Sequence, residues 1–219
     1  MGAMKTTNQL LSAICRARRA DSPSECEDGI AETAFPFSRR TELGACDIAT
    51  NGHVLVAIFG RGEHYSREAG PPLHNVFVKD DGGMIAIAGE KVAISVRGLR
   101  SWCKDALAVE GGVEGRRFKV RPLHLVAVKA EVQHDVVVDA DHLLSVLAFL
   151  RGDVTLTIGR HCAGLSSLDV VGLEGLPWDD SPGEVRALVM PMRHDVLSTT
   201  PRAELLPPPG TGYAFASAL

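Results

Sequence analysis

The sequence predicts an α+β fold in which antiparallel sheets carry helices on one face. Two features of the 219-residue chain lead to this prediction. First, apolar stretches with strand-like alternation come in groups, and single stretches with helical spacing separate the groups, unlike the regular strand–helix–strand order of a parallel sheet. Second, a hydrophobic content of 45% with a charged content of 23% is that of an ordinary globular protein, so a sizeable core can form.

The N-terminal part is predicted to hold one helix and one hairpin. Apolar residues recur at helical spacing over 8–19, and the polar stretch 22–42 is predicted to include a loop. Residues 46–59 then predict two strands joined by a tight turn, because both residues of Asn51-Gly52 tolerate the positive φ that such turns need.

The middle of the chain predicts further strands around a second helix. The strands are expected over 74–79, 84–88, 91–96, 116–121, 123–130 and 133–138. Gly89-Glu90 is expected to form a turn between two of them. The helix is expected over 96–107, where apolar residues share one face and Arg97, Arg100 and Lys104 share another.

The C-terminal part predicts one well-buried helix followed by strands. Asp139 or Asp141 is suited to cap this helix, and Gly152 stands where a glycine commonly ends one. Strands are expected over 154–158, 165–171 and 185–192. The proline-rich end of the chain predicts an extended or disordered tail.

Composition and motifs argue against several function classes. The net charge of −4 gives no global attraction to nucleic acid or acidic membranes, and no apolar run is long enough to cross a bilayer. The signatures of nucleophile elbows, zinc proteases, phosphate loops and dinucleotide sites are missing, so we expect no enzyme, cofactor or metal site.

The five scattered cysteines predict reduced thiols and a cytoplasmic protein. The alternative is a hydrolase that uses His161 or Cys162.

Three stretches resemble the bacterial DNA polymerase III β sliding clamp family. Ala49-Thr-Asn-Gly-His-Val-Leu55 is similar to the family's ATDGHRL turn, and Ala187-Leu-Val-Met-Pro-Met-Arg193 is similar to its C-terminal strand. Residues 136–158 resemble the strand, helix and strand that precede the last hairpin of a clamp. The resemblance implies sliding-clamp, or processivity-fold, domains: a clamp-like domain or half-domains over 5–130, a C-terminal half-domain over 131–193, and a flexible tail over 194–219.

In the family, the turn and the terminal strand meet and line a hydrophobic cleft that receives short peptide motifs from polymerases and repair proteins. Carried over by position, the cleft would comprise Thr50, Gly52, His53, Leu55, Leu188, Met190, Pro191, Met192 and Arg193. The residue types suit this role, since methionines repack around varied side chains and a proline limits strand pairing. The alternative is that both methionines belong to the core.

The resemblance also implies double-stranded DNA as a partner, because clamps turn helix-borne cations toward the phosphates. The candidate cations are Arg16, Arg18, Arg19, Arg97, Arg100 and Lys104. They suit a sequence-independent phosphate contact, and the alternative is that they form ordinary solvated helix faces.

This chain departs from the family in several places. Asn51 replaces the usual aspartate, and Val54 replaces the usual arginine, which we expect to remove a charge from the rim of the cleft. The chain continues to residue 219, and a tail that lies across the cleft would compete internally with a peptide. The chain is also shorter than a three-domain clamp. The expected function is a DNA replication or repair scaffold that forms a homo-oligomer. The alternative is a non-ring adaptor or inhibitor of the replication machinery, encoded by a phage or mobile element.

Overall fold

A computed structural model describes residues 6–21, 36–41, 44–61, 65, 87–108, 113–114, 119–129, 132–161 and 169–192 of the chain. The elements follow one another as α1 Thr7–Asp21, β1 Phe37–Thr41, β2 Gly44–Thr50, β3 Val54–Phe59, β4 Ile87–Ser95, α2 Val96–Ala108, β5 Val113–Glu114, β6 Lys119–Val120, β7 Pro122–Lys129, β8 Val132–Asp139, α3 Ala140–Leu147, β9 Leu150–His161, β10 Asp169–Pro177 and β11 Val185–Val189.

Most of these strands form one antiparallel sheet. Its seven strands lie in the order β1-β2-β3-β11-β10-β9-β4. The strands β7 and β8 form a separate antiparallel hairpin, and β5 pairs with β6. A large antiparallel sheet with helices confirms the predicted α+β class.

The sheet contains the same arrangement twice. The order helix–strand–strand–strand occurs as α1–β1–β2–β3 and again as α3–β9–β10–β11, and the three strands of each set form an antiparallel meander. The two sets join through their last strands, with Val56 of β3 opposite Ala187 of β11. The end of each last strand therefore meets a loop of the other set. The Met190 amide donates to the His53 carbonyl at 2.8 Å, and the Phe59 amide donates to the Glu184 carbonyl at 2.8 Å.

The helices cover one face of this sheet, as the sequence predicted. Successive residues of a strand point to opposite faces. Val54, Val56 and Ile58 of β3 belong to the main core, which also contains Leu11 of α1, Leu99 of α2 and Leu143 of α3. A second group lies on the opposite face and is here called the outer cluster; it consists of Phe37, Cys46, Ile48, Leu55, Ala57, Phe59 and Leu188.

Two strands differ from the sequence prediction because pairing with another strand overrides the local signal. The stretch 22–42, predicted as polar with a loop, contains β1, whose Ser38 hydroxyl donates to the buried Asp47 carboxylate at 2.6 Å. The turn expected at Gly89-Glu90 is also wrong. These two residues lie inside β4, opposite Gly159 and Ile158 of β9.

The third helix is shorter than predicted. Asp139, one of the two predicted candidates, is its N-cap, and its carboxylate accepts from the Asp141 amide at 2.9 Å. The helix ends at Leu147, because the following apolar residues Phe149 and Leu150 are drawn into the core, each 1% exposed. Gly152 is therefore not a helix end but part of β9. Its φ of 66° lies where the pairing of β9 with β10 is irregular.

Candidate functional site

The turn between β2 and β3 is held by its own side chains. The Asn51 amide oxygen accepts from the backbone amides of His53 and Val54, both at 2.9 Å. The Thr50 hydroxyl donates to the Val54 carbonyl at 2.7 Å. Gly52 has a φ of 87°, which suits glycine. Asn51 thus supplies the side-chain acceptor that holds the turn, and the turn presents Gly52 and His53 to solvent.

The C-terminal strand lies directly beside this turn. Leu188 of β11 is opposite Leu55 of β3, and the chain then continues past the end of β11 along the turn. The Met190 amide donates to the His53 carbonyl and the Met192 amide donates to the Val137 carbonyl of β8, each at 2.8 Å. Pro191 has no amide hydrogen and stands between these two donors. The structure thus brings together the two motifs that the sequence analysis singled out.

The predicted cleft residues fall into a closed floor and a more open rim. Leu55 and Leu188 belong to the outer cluster and are each 3% exposed, and Thr50 is buried and committed to the turn. The rim comprises the exposed Gly52 and His53 with the partly exposed Met190, Pro191 and Met192. Arg193 lies outside the described residues. A peptide side chain reaches the two leucines only if the surface above them opens.

Val54 does not lie on the rim, contrary to the expectation from the sequence. Its side chain is 2% exposed and belongs to the main core, on the face that the helices cover. In this chain a valine at this position therefore adds to the core. It removes no charge from the cleft, because a side chain here points away from it.

His142, which the sequence analysis did not single out, contacts the β2–β3 turn. It lies in the first turn of α3, and its ring stacks on that of His53 with a centroid distance of 4.9 Å and an interplanar angle of 11°. Burial raises the pKa of the neighbouring Asp139, while the Asp141 amide and the His142 charge act in the opposite direction. No local pattern marks His142, since the contact depends on how α3 and the turn meet.

The predicted DNA-contacting cations on α2 lie on the helix side of the sheet. Arg97, Arg100 and Lys104 are exposed along one face of α2. Arg100 also donates from its guanidinium to the Leu147 carbonyl at the end of α3, at 2.7 Å. The side chains of the α1 cations Arg16, Arg18 and Arg19 lie outside the described part. The DNA candidates on α2 and the two cleft leucines thus occupy opposite faces of the sheet.

Other reactive groups in the described part are buried or structural. Burial raises the pKa of the Cys103 thiol to about 12, so the thiol stays protonated at neutral pH. The described residues contain no group of three or more histidine, cysteine, aspartate or glutamate side chains that could hold a metal ion. The side chains of His161 and Cys162, the remote hydrolase candidates, lie outside the described part.

None of the helices in the described ranges is long and apolar enough to span a membrane. In comparisons with known proteins, no protein-family model matches the chain and no curated protein matches its sequence.

Proposed function

We propose that this chain is a sliding-clamp-like scaffold that binds double-stranded DNA and recruits partner proteins through a hydrophobic peptide cleft. The observation that carries the proposal is the hydrogen bond between the Met190 amide and the His53 carbonyl. It joins two motifs from distant parts of the sequence into one surface, as the resemblance to the sliding clamp family requires. Each motif alone is short, so their contact in three dimensions adds support that neither motif gives by itself.

The chemistry of this surface suits an apolar peptide. Leu55 and Leu188 form an apolar floor, and Met190 and Met192 are flexible side chains that can repack around different partners. Each large apolar peptide side chain that the cleft buries would contribute about 1.5–3 kcal/mol. Because the floor is closed in the free chain, part of this gain would be used to open it.

The helix face supports DNA binding as the second half of the proposal. Arg97, Arg100 and Lys104 give α2 a local positive stripe although the whole chain carries a net charge of −4. Such a stripe can neutralise phosphates without reading the base sequence. Because the cleft leucines are on the other face, DNA and a partner peptide would not compete for the same surface.

The two edge strands of the sheet could pair with another copy of the chain in the proposed oligomer. Within the described residues, β1 and β4 lie at the two edges of the seven-stranded sheet and each pairs on one side only. An edge strand presents free backbone donors and acceptors that another chain can pair with. Copies that join edge to edge would close a ring, and copies that do not would act as the non-ring adaptor or inhibitor.

Solution mass by light-scattering chromatography tests this proposal, with and without a short peptide containing glutamine, leucine and phenylalanine. A discrete oligomer that binds the peptide and is retained on circular but not linear DNA would support the encircling scaffold. A monomer or open dimer that binds the peptide would favour the adaptor or inhibitor. A chain that neither binds the peptide nor associates with DNA would overturn the proposal.

A further inference from the structure

The helix α3 is in contact with both proposed binding surfaces. At its first turn, the His142 ring stacks on the ring of His53 in the β2–β3 turn, with centroids 4.9 Å apart. At its last residue, the Leu147 carbonyl accepts from the guanidinium of Arg100 on α2 at 2.7 Å. The helix has eight residues and is therefore about 12 Å long. One short helix thus lies between a candidate DNA contact and a turn that borders the candidate cleft.

The contact at the last residue of α3 is one that DNA would disturb. The final carbonyls of a helix have no partner within the helix, so the Arg100 donor satisfies Leu147, and its charge suits the helix C-terminus. A phosphate binds a guanidinium through two parallel hydrogen bonds and, being charged, is a stronger acceptor than a carbonyl. Arg100 is exposed on α2, where a phosphate can reach it. Binding of Arg100 to a phosphate therefore withdraws the donor from the end of α3.

The contact at the first turn of α3 affects the cleft. The His53 carbonyl accepts from the Met190 amide at 2.8 Å, so the turn that α3 contacts also holds the rim. Leu55 and Leu188 are each 3% exposed in the free chain, and a peptide reaches them only after the surface above them opens. A loosened α3 supports the turn less firmly, which lowers the free energy needed to open the cleft.

We propose that α3 couples the two surfaces, so that contact of Arg100 with DNA releases the end of α3 and thereby tightens peptide binding in the cleft. This inference rests on the proposed function for the two ligands, and on the geometry alone for the link through α3. Coupling between two binding sites is reciprocal, so a bound peptide tightens DNA binding by the same factor. Because a single hydrogen bond is exchanged, we expect a factor of about five, at the low end of the usual range.

The link through α3 can be tested in the full chain without any ligand, by hydrogen exchange of the backbone amides. Arg100→Met removes the donor to Leu147 while keeping a long side chain. Arg97→Met is the matched control, because Arg97 is a cation on the same exposed face of α2 that does not hold this carbonyl.

The amides to follow are those of His53 and Val54, which the Asn51 side chain holds in the β2–β3 turn. We expect Arg100→Met to exchange them faster than the wild type, and Arg97→Met to leave them unchanged. His142→Ala should also speed this exchange, and adding Arg100→Met to it should then have no further effect at the turn. Unchanged exchange in Arg100→Met, or an equal increase throughout the sheet, would overturn the link.

The effect on binding is tested by titrating the same glutamine–leucine–phenylalanine peptide with and without a saturating short DNA duplex. We expect the wild type to bind the peptide about fivefold more tightly with DNA. His142→Ala should bind it equally in both conditions, since His142 is not among the residues proposed to contact either ligand. Equal affinities in the wild type would overturn the inference. A chain that binds neither ligand would refute the proposed function, and hydrogen exchange alone would then decide whether α3 links the two surfaces.

Discussion

The backbone amide of Met190 donates a hydrogen bond to the carbonyl oxygen of His53 at 2.8 Å. This bond continues the pairing of β11 with β3 beyond the end of the strand and seats the chain against the β2–β3 turn. It is matched at the other end of the same strand pair by the bond from the Phe59 amide to the Glu184 carbonyl. The same kind of hydrogen bond thus occurs at both ends of the β3–β11 pair, and the methionines lie beside the one at His53.

The stability of the turn depends on the Asn51 side chain. Asn51→Ala removes the acceptor of two backbone amides in a turn where Asn51 is 6% exposed. We expect the variant to lose about 1–3 kcal/mol of unfolding free energy, because buried donors left without a partner are costly. Chemical denaturation measures the change. Asn51→Asp retains an acceptor at this position and serves as the control; if it loses as much as the alanine variant, the hydrogen bonds are not the cause.

A hydroxyl–carboxylate bond ties the start of α1 to the β10–β11 loop. Thr7 donates to Asp179 at 2.6 Å. Burial raises the Asp179 pKa, but the hydrogen bonds from Ser181 and Thr7 outweigh it, so the pKa of this carboxyl is lowered overall. At pH 7 we expect Thr7→Val to lose on the order of 1 kcal/mol of unfolding free energy, and Thr7→Ser to lose less.

The pH dependence of this effect has a definite sign. A lowered pKa in the folded state means that the stabilisation is complete above the ordinary carboxyl pKa of about 4. It is lost as the pH falls through the lowered value. Denaturation of wild type and Thr7→Val should therefore differ by a constant amount above pH 5 and converge only in stronger acid. Convergence already at neutral pH would contradict this assignment.

The positive stripe on α2 gives a prediction for DNA. Reversing Arg97 and Lys104 to glutamate should weaken DNA association and reduce the dependence of log affinity on log salt by roughly one per lost phosphate contact. Arg100 is left unchanged because it also holds the Leu147 carbonyl. Reversal of Arg16, Arg18 and Arg19 is expected to act in the same direction. Arg186→Glu, a charge reversal on β11 away from α2 and from the sheet edges, is the control, and an equal effect there would place the phosphate contacts elsewhere.

The C-terminal segment gives a prediction that concerns access to the cleft. Residues 194–219 follow directly after the methionine rim, and deleting them should tighten peptide binding if they compete for the cleft. Titration of a labelled peptide against the full and shortened chains measures the difference. Equal affinities would show that this segment does not compete.

Local signals in the sequence predicted the elements that are determined locally. Asn51-Gly52 predicted the hairpin turn, and Asp139 predicted the start of α3 by its ability to cap a helix. The strands that were missed or divided depend on pairing with another strand, which the local sequence does not show. β1 is a strand because it pairs with β2, and Gly89-Glu90 continues β4 because β9 lies beside it.

The candidate site likewise has features that the local sequence predicted and features that depend on how the chain packs. The two motifs predicted that two distant backbone segments would meet, and β3–β11 pairing brings them together. The direction of the Val54 side chain and the stacking of His142 on His53 were not predictable, because each depends on the register of the sheet and the placement of α3. A single-residue register change would exchange the faces of every β3 side chain.

The most direct test of the account is peptide binding by Met190→Asp. We expect the glutamine–leucine–phenylalanine peptide to bind the wild type and to lose at least about tenfold in affinity with the variant, because a carboxylate in an apolar cleft is poorly solvated. Leu176→Asp is the matched control, since Leu176 is 55% exposed on β10 and lies away from the turn. Unfolding curves of both variants should match the wild type closely. A Met190→Asp chain that is folded and binds the peptide as tightly as the wild type would contradict the assignment of the cleft.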